Sequence, residues 1–578
     1  GIPNARNTLK AIKKDTGRTM VVIDPRRTET ARQADVHLQL KPGTDAFLMA
    51  AMLSIIVQNG WYDRAFLEER TPGFETVLEQ LATIDARDYA GRAGVDYDDV
   101  KRVAEGLARA RTASVRVDLG TQHTLHTTLN AYLEKLLVLL TGNFGIEGGN
   151  TLHTSLIPLV GNTDERRTIE GKTLARSVHH KMMPIGGMYP PNILPDEIEH
   201  GGIRAMIVDS CNAAVSWPDS EALTPAFESL DLLVVVDVAM TETARLAHYV
   251  LPAASQFEKW EFTGFNLEFP DNYFHLRHPL FEPDADTLSE PEIYTPLLEA
   301  MGEIPGRFPL LENIPRFEPG FSRHGAYLAG LSATLKRNPA WRPYGASIMY
   351  RTLGRQLGNG AAAAAPLLPL AMRFAARYSR QVRRAGIDGG SLTQGVNLFR
   401  AILAERSGVV ISRHTYEESW ELIANEDRRI HLAIDEMLAE LGELEGEQPP
   451  GADFPFILLA GERRSYNANQ IYRDPKWRKI DPHGAMRLHP DDAAELGLAK
   501  GDRATCRSEV GSIEVVVDLD DSIRRGVVTL PHGYGMRYRD SDPGGPQINR
   551  LTGKAACDPL SKTPFHKYVP VHIERSAA

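Results

Sequence analysis

Cysteine is scarce in this chain: Cys211, Cys506 and Cys557 lie far apart in 578 residues, with no C-x-x-C pair. That excludes a disulfide framework and a cysteine-built zinc or iron–sulfur site, and fits a reducing compartment only weakly. Long apolar runs are missing too. None reaches the ~18 residues needed to span a bilayer, and no signal peptide opens the chain. Positive charge is not in excess: the formal net charge is −10, so no basic surface argues for nucleic acid. The G-x-G-x-x-G fingerprint is absent; glycines 142, 145, 148 and 149 are spaced as a helix C-cap and loop, which counts against a simple nicotinamide dehydrogenase. What is present, 42% hydrophobic and 24% charged residues, is ordinary for a soluble protein of several domains with ample core.

One pattern occurs twice. Residues 21–38 read VVIDPRRTETARQADVHL and residues 234–251 read VVVDVAMTETARLAHYVL; at an offset of 213 they agree at ten of eighteen positions. In both, an apolar β-branched run ends in an aspartate, as a buried parallel strand reaches the carboxyl edge of its sheet. Thr-Glu-Thr then offers hydroxyls and a carboxylate to cap a helical turn. A carboxylate at such a strand end is where nucleotide-binding α/β domains hold ribose hydroxyls. One copy would read as an ordinary strand–loop–helix joint. Two copies suggest pseudo-symmetric halves that hold two similar ligands or two ends of one large ligand.

Taken in order, residues 1–150 form a first α/β domain. Its expected elements are a strand at 20–24, a buried helix at 46–58, helical stretches near 63–82 and 97–110, a strand at 114–119 leading into Gly-Thr-Gln-His, and a helix at 129–140. The helical pattern that feeds strand 20–24 begins almost at residue 1, and Gly-Ile-Pro-Asn carries no Met. An edge strand needs neighbours, so an upstream region is expected; localisation cannot be read from this terminus, and cytoplasmic is the working expectation. Residues 151–445 form a second α/β domain, with strands at 204–209 and 232–237 and a polar, aromatic cleft loop at 251–266. Its insertion at 305–420 places Arg373, Arg377, Arg380 and Arg384 on one helix face opposite Leu370, Phe374 and Val382. An acidic Pro/Gly linker is expected at 442–455. Residues 446–578 then read as short strands and turns of a β-barrel-like domain. His123 and His126, His153, and the pair His179–His180 carry no paired carboxylate or cysteine in sequence. They read as hydrogen-bonding residues, and no metal ligand is assigned.

The two repeats, together with PGTD (42–45), LLTGNFGIEGG, HPDDAAELGLAKGD and NRLTG…DPLSKTPFHKYVPVHIE, resemble the molybdopterin oxidoreductase (dimethyl sulfoxide reductase) superfamily. The branch is that of formate dehydrogenases and assimilatory nitrate reductases. The resemblance covers most of the chain outside 305–420. It implies two related Rossmann-like α/β domains with a C-terminal double-psi-like β-barrel cap, holding one Mo or W atom between two molybdopterin guanine dinucleotides. It implies a two-electron or oxygen-atom transfer on a small-molecule substrate and an electron-transfer protein or subunit as partner. A [4Fe–4S] cluster and the metal-ligating residue are expected only in an upstream region, and no catalytic residue is assigned. Some relatives of this fold are non-redox hydratases, and one, the large peripheral-arm subunit of respiratory complex I, is a metal-free scaffold.

Carried over residue by residue, Asp24 and Asp237 would each lie at a guanosine ribose. Asp45 would accept from a guanine Watson–Crick edge, following Gly43. Arg26, Thr28 and Thr241 would lie near phosphates. Gly120, Thr121, Gln122, His123 and Asn212 would line the pterin approach. In the barrel, Gly461, Arg463, Asn467, Asn549 and Lys567 would contact phosphates and pterin nitrogens. Cys211 aligns with a cofactor-contacting turn and reads as structural. Where formate dehydrogenases carry Arg-Gly-Gln-Asn-Asn after the glycine-rich loop, this chain has TLHTSLIPLVGN (151–162), which argues against formate and leaves the substrate open.

Overall fold

The computed structural model describes residues 4–576 except 158–167, 170–171, 174–175, 264–267, 285, 318–320, 392, 448–452, 463–473, 475, 477, 479–480 and 540. In the first half, β1 (Val21–Ile23) pairs parallel with β2 (Val36–Leu38). The helix Asp45–Gln58 is buried from Ala46 to Ile56 and forms the hub of the half, because its apolar residues occupy every face. Around it pack Phe74–Thr83, Ala86–Ala93, Tyr97–Arg109 and Thr127–Leu140, which share one core with it. The first of the two expected helical stretches is in fact two helices, Arg64–Arg70 and Phe74–Thr83, and a further helix, Ala86–Ala93, stands between it and the second. Gly73, at φ 80°, opens Phe74–Thr83, and Asp85 starts Ala86–Ala93 by accepting from the amides of Arg87 and Asp88.

No strand forms at 114–119. The side-chain amide of Asn150 takes both backbone groups of Val115, accepting from its N–H at 2.9 Å and donating to its carbonyl at 2.8 Å. A side chain thus stands in for a strand partner, and Leu119–Gln122 turns into a short helix whose first amide is held by Asp118.

The second half is built on β3 (Ala205–Asp209), β4 (Leu232–Asp237) and β5 (Tyr249–Pro252), all parallel. Val21 pairs with Val36, and Val234 with Tyr249; both partners are displaced by 213, so the sequence repeat is a repeat of strand register. Beyond it, β6 (Glu261–Thr263), β7 (Asp271–Arg277) and β8 (Val409–Arg413) form an antiparallel sheet in the order β8-β7-β6. Phe274 and Leu276 of β7 share a core with Leu368, Phe374 and Phe399 from the insertion. The arginine-bearing segment is not one helix. It breaks at Tyr378 into Leu367–Arg377 and Ser379–Arg384, and Arg380 and Arg384 turn to Glu421 and Glu418.

The expected linker begins too early. Helix Asp435–Glu443 and the turn Leu444–Gly446 dock on the first half, with Leu441 and Leu444 buried in its core. His126 fixes them there, bonded through Nδ1 to Glu440 and through Nε2 to Glu447, each at 2.8 Å. Finally β9 (Phe456–Glu462), β10 (Met486–Leu488), β11 (Arg503–Arg507), β12 (Ser512–Leu519), β13 (Val527–Pro531) and β14 (Val569–Arg575) close a barrel in the order β9-β13-β10-β12-β11-β14. Closure removes the edges, and the alternating apolar residues fill the interior. Among the described residues no helix is long and apolar enough to cross a membrane.

The His126 clamp gives a pH signature. Burial opposes its protonation, but the two carboxylates outweigh burial and push it up to about 9. A folded value above the unfolded 6.5 stabilises fully below about 6.5 and is lost as pH rises through 9. His126→Ala is expected to lower the melting temperature at pH 6 and much less at pH 10; an equal loss at both would refute the charged clamp.

Candidate functional site

The carboxyl ends of β1 and β4 face the barrel. At each, the aspartate receives the amide two residues on: Arg26 N donates to Asp24 Oδ1 at 2.8 Å, and Ala239 N to Asp237 Oδ1 at 3.1 Å. Each threonine four residues on caps the following turn, with Thr28 Oγ1 accepting from Ala31 N at 3.2 Å and Thr241 Oγ1 from Ala244 N at 3.0 Å. The two joints therefore match in register, turn and cap, and each places a carboxylate at the end of its strand.

Asp45 sits at the first position of the hub helix, near Asp24. Burial above all, with the charge of Asp24 added, pushes its carboxyl up to about 6. Burial also raises Asp24, although its own turn amide, His37, Arg26 and Lys567 lower it in turn. No described cation hydrogen-bonds Asp45. Such a carboxylate fits a ligand edge rich in N–H donors, which would satisfy it without a protein counter-charge.

The barrel supplies the opposite wall. Lys567 Nζ donates to the carbonyls of Ala460 and Gly461, and its backbone N–H donates to His123 O at 2.7 Å. His123 Nδ1 lies 3.1 Å from Pro564 O, and its ring stacks on that of His566 at 5.7 Å. Burial lowers His123, and burial with His123, His532 and Lys567 nearby lowers His566 to about 3. His566 Nε2 is buried with no hydrogen-bond partner among the described residues. Gly461 has φ 78°, and a Cβ there would stand 2.0 Å from His532 Nε2; a Cβ on Gly43, at φ 81°, would stand 2.5 Å from Tyr568. Both glycines leave room that only backbone can leave.

Several other expected contacts have different surroundings. The Arg26 guanidinium is held by barrel groups: Nε donates to Ser522 Oγ at 3.0 Å, and its terminal nitrogens reach Glu462 and Asp520. Asn549, fully buried, donates to Val215 O at 2.7 Å and so pins the barrel to the second half. Asn212 Oδ1 accepts from Thr243 N and Oγ1, and its Nδ2 donates to Glu242. Gly120, Thr121 and Gln122 lie in the short helix Leu119–Gln122; a Cβ on Gly120 would meet open space. Arg463 and Asn467 lie outside the described residues. Cys211 sits 3.7 Å from Ser216 Oγ, with its thiol raised by burial, as a structural residue does.

The docking residues Glu462, Asp520, Ser522, Glu242, Arg537 and Arg539 carry no signal in the sequence, since each pairing spans nearly 300 positions or more. In the second copy Glu242 accepts from Arg537 N at 2.7 Å, and Arg245 donates to Arg539 O at 2.8 Å. One barrel is thereby bolted to both strand ends.

Known proteins place this arrangement. Residues 2–281 match the family described as molybdopterin oxidoreductase, and residues 456–570 match the molydopterin dinucleotide binding domain. The chain belongs to the molybdopterin oxidoreductase family. Its cofactor is a molybdopterin dinucleotide carrying Mo or W, and its class is oxidoreductase. It is 27% identical to the F420-dependent formate dehydrogenase subunit alpha of Methanocaldococcus jannaschii over 99% of this chain and 74% of that protein. With a probable oxidoreductase of Bacillus subtilis it shares 30% identity over 51% of this chain and 42% of that protein. With the assimilatory nitrate reductase catalytic subunit of Bacillus subtilis it shares 23% over 97% and 71%. The fold is also that of acetylene hydratase from Pelobacter acetylenicus, at TM-score 0.64 and 19% identity, covering 99% of this chain and 76% of that one.

Asp45 tests the site without turnover. An acid whose folded value exceeds its unfolded 3.8 destabilises the chain as pH rises from about 4 through 6. Asp45→Asn is expected to stabilise the cofactor-free chain at pH 7 by up to about 3 kcal/mol, read by denaturant unfolding, while the purified protein retains less pterin. Loss of stability with unchanged pterin content would overturn the assignment.

Proposed function

We propose that each half holds the guanosine end of one molybdopterin guanine dinucleotide, two per metal, with the barrel closing over both. The observation that carries this is the matched pair of strand ends at Asp24 and Asp237, identical in register, turn and cap. Asp24 and Asp237 accept from ribose hydroxyls, and Asp45 accepts from the N1–H and N2–H of one guanine. Lys567 supplies positive charge toward a pyrophosphate, and His123 with His566 presents imidazole edges to a pterin. When bound, the metal and its pterins supply two-electron or oxygen-atom transfer on a small-molecule substrate; the chain contributes position and electrostatics.

Electrons leave or enter through a partner protein or subunit. The setting we propose is cytoplasmic, with which three unpaired cysteines are compatible. The substrate class stays open, because the chain carries TLHTSLIPLVGN where formate dehydrogenases carry their arginine motif.

The experiment is the release of guanine nucleotide and metal from Asp24→Ala and Asp237→Ala, made separately in the full-length protein. Each is expected to lose about half of the bound guanine nucleotide, one ligand of two. If both variants keep the full complement, the two-site reading fails; if the unaltered protein carries no pterin or metal, it acts as a scaffold and not as an enzyme.

A further inference from the structure

The second half carries a cluster outside the residues assigned above to the cofactor. Residues 177–182 form a tight turn closed by Ser177 N donating to Met182 O at 2.9 Å, with Lys181 in the left-handed region at φ 53°. The turn is anchored from beneath by Glu197, a buried carboxylate on the helix Leu194–Glu199. It accepts from three successive amides: Val178 N at 2.7 Å, His179 N at 3.0 Å and His180 N at 2.9 Å. With its backbone so fixed, the turn projects the exposed imidazoles of His179 and His180 toward Asp196, the neighbour of Glu197 on the helix. His180 Nε2 lies 2.8 Å from Asp196 Oδ2. The ligand atoms of His179, His180 and Asp196 all fall within 4.8 Å of one another. His179 is further held by stacking on His200 at 3.8 Å, and His200 Nδ1 is bonded to Asp196 O at 2.8 Å.

We propose that His179, His180 and Asp196 form a binding site for a divalent transition-metal ion, zinc being the ion that best fits two imidazoles and one carboxylate with an open position for water. The adjacent histidines gave no such signal in sequence because their carboxylate lies sixteen residues on, across the turn. Glu197 and His200 act on the geometry and not as ligands: one fixes the backbone beneath the rings, the other fixes the plane of a ring. The ion takes the place of the hydrogen bond between His180 and Asp196. Its competitor is the Lys554 ammonium from the barrel, which pairs with Asp196 Oδ1. Its role is to pin the turn at 177–182 to the helix beneath it.

The test uses the full-length protein after chelator treatment, titrated with zinc and, separately, with cobalt, whose visible absorption reports a nitrogen- and oxygen-ligated site. One zinc per chain is expected beyond the metal of the cofactor. His180→Ala and Asp196→Asn are each expected to weaken it more than about tenfold. Lys554→Met is expected to leave binding intact or tighten it, and His489→Ala, on the barrel, to leave it unchanged. Zinc taken up equally by the parent chain and the His179→Ala/His180→Ala variant, or no zinc taken up by either, would overturn the proposal. Because the readout is zinc and not pterin or turnover, its failure is separate from any failure of the two-nucleotide reading. A variant that misfolds shows in its circular dichroism, and Lys554→Met then carries the test, since a fall in affinity there would overturn the site as well.

Discussion

The guanidinium of Arg26 is the point on which the arrangement turns. It leaves the first strand end and enters the barrel, where Glu462, Asp520 and Ser522 receive it. Two carboxylates brought this close in a mostly buried site need a shared cation. Arg487 donates to Glu462 as well, and Thr529 Oγ1 gives its other oxygen a partner at 2.8 Å, so the acceptor is oriented by groups of the barrel itself. The consequence is positional. The loop that follows Asp24 cannot move without the barrel, so the carboxylate and the wall that faces it are held as one body.

The two halves repeat, but the repeat is broken where the barrel meets them. At the offset of 213, Arg26 corresponds to Ala239, and Glu29 to Glu242. The first copy is anchored through its arginine. The second is anchored through its glutamate, which receives the amide of Arg537, and through Arg245, which donates to the Arg539 carbonyl. A single barrel has no two-fold symmetry with which to meet two identical surfaces, so each half keeps the shared strand, turn and cap and spends its variable positions on a different bolt. Conservation of the cap within the repeat is thus a matter of geometry, and divergence around it a matter of docking.

The sequence carried what is local or periodic. The hub helix showed as an unbroken apolar stretch, the duplicated joint as an identical pentapeptide, and the barrel as strands of alternating residues. Other features rest on side chains standing in for backbone or on contacts across the chain. The segment at 114–119 has the composition of a strand, yet Asn150 meets its backbone groups first. The acidic stretch near 442 has linker composition, yet Leu441 and Leu444 enter the core and His126 holds the adjoining carboxylates. The family resemblance implies a phosphate contact for Arg26, and nothing near it in sequence reveals a partner 436 residues away.

Electrostatics in the cleft follows from which groups are allowed to stay charged. His123 and His566 are both lowered by burial, His566 to about 3, so both imidazoles are neutral near pH 7 and can stack without repulsion. The positive charge on this wall is then carried by Lys567, held in place by the carbonyls of Ala460 and Gly461. Across from it, Asp24 and Asp45 are two acids that burial disfavours as a charged pair. A ligand with an anionic middle and donor-rich ends would satisfy both walls at once: in the proposed two-nucleotide reading its phosphates would meet the lysine, and its hydroxyls and ring N–H groups the acids. Removing the charge from either wall would leave the other without its complement.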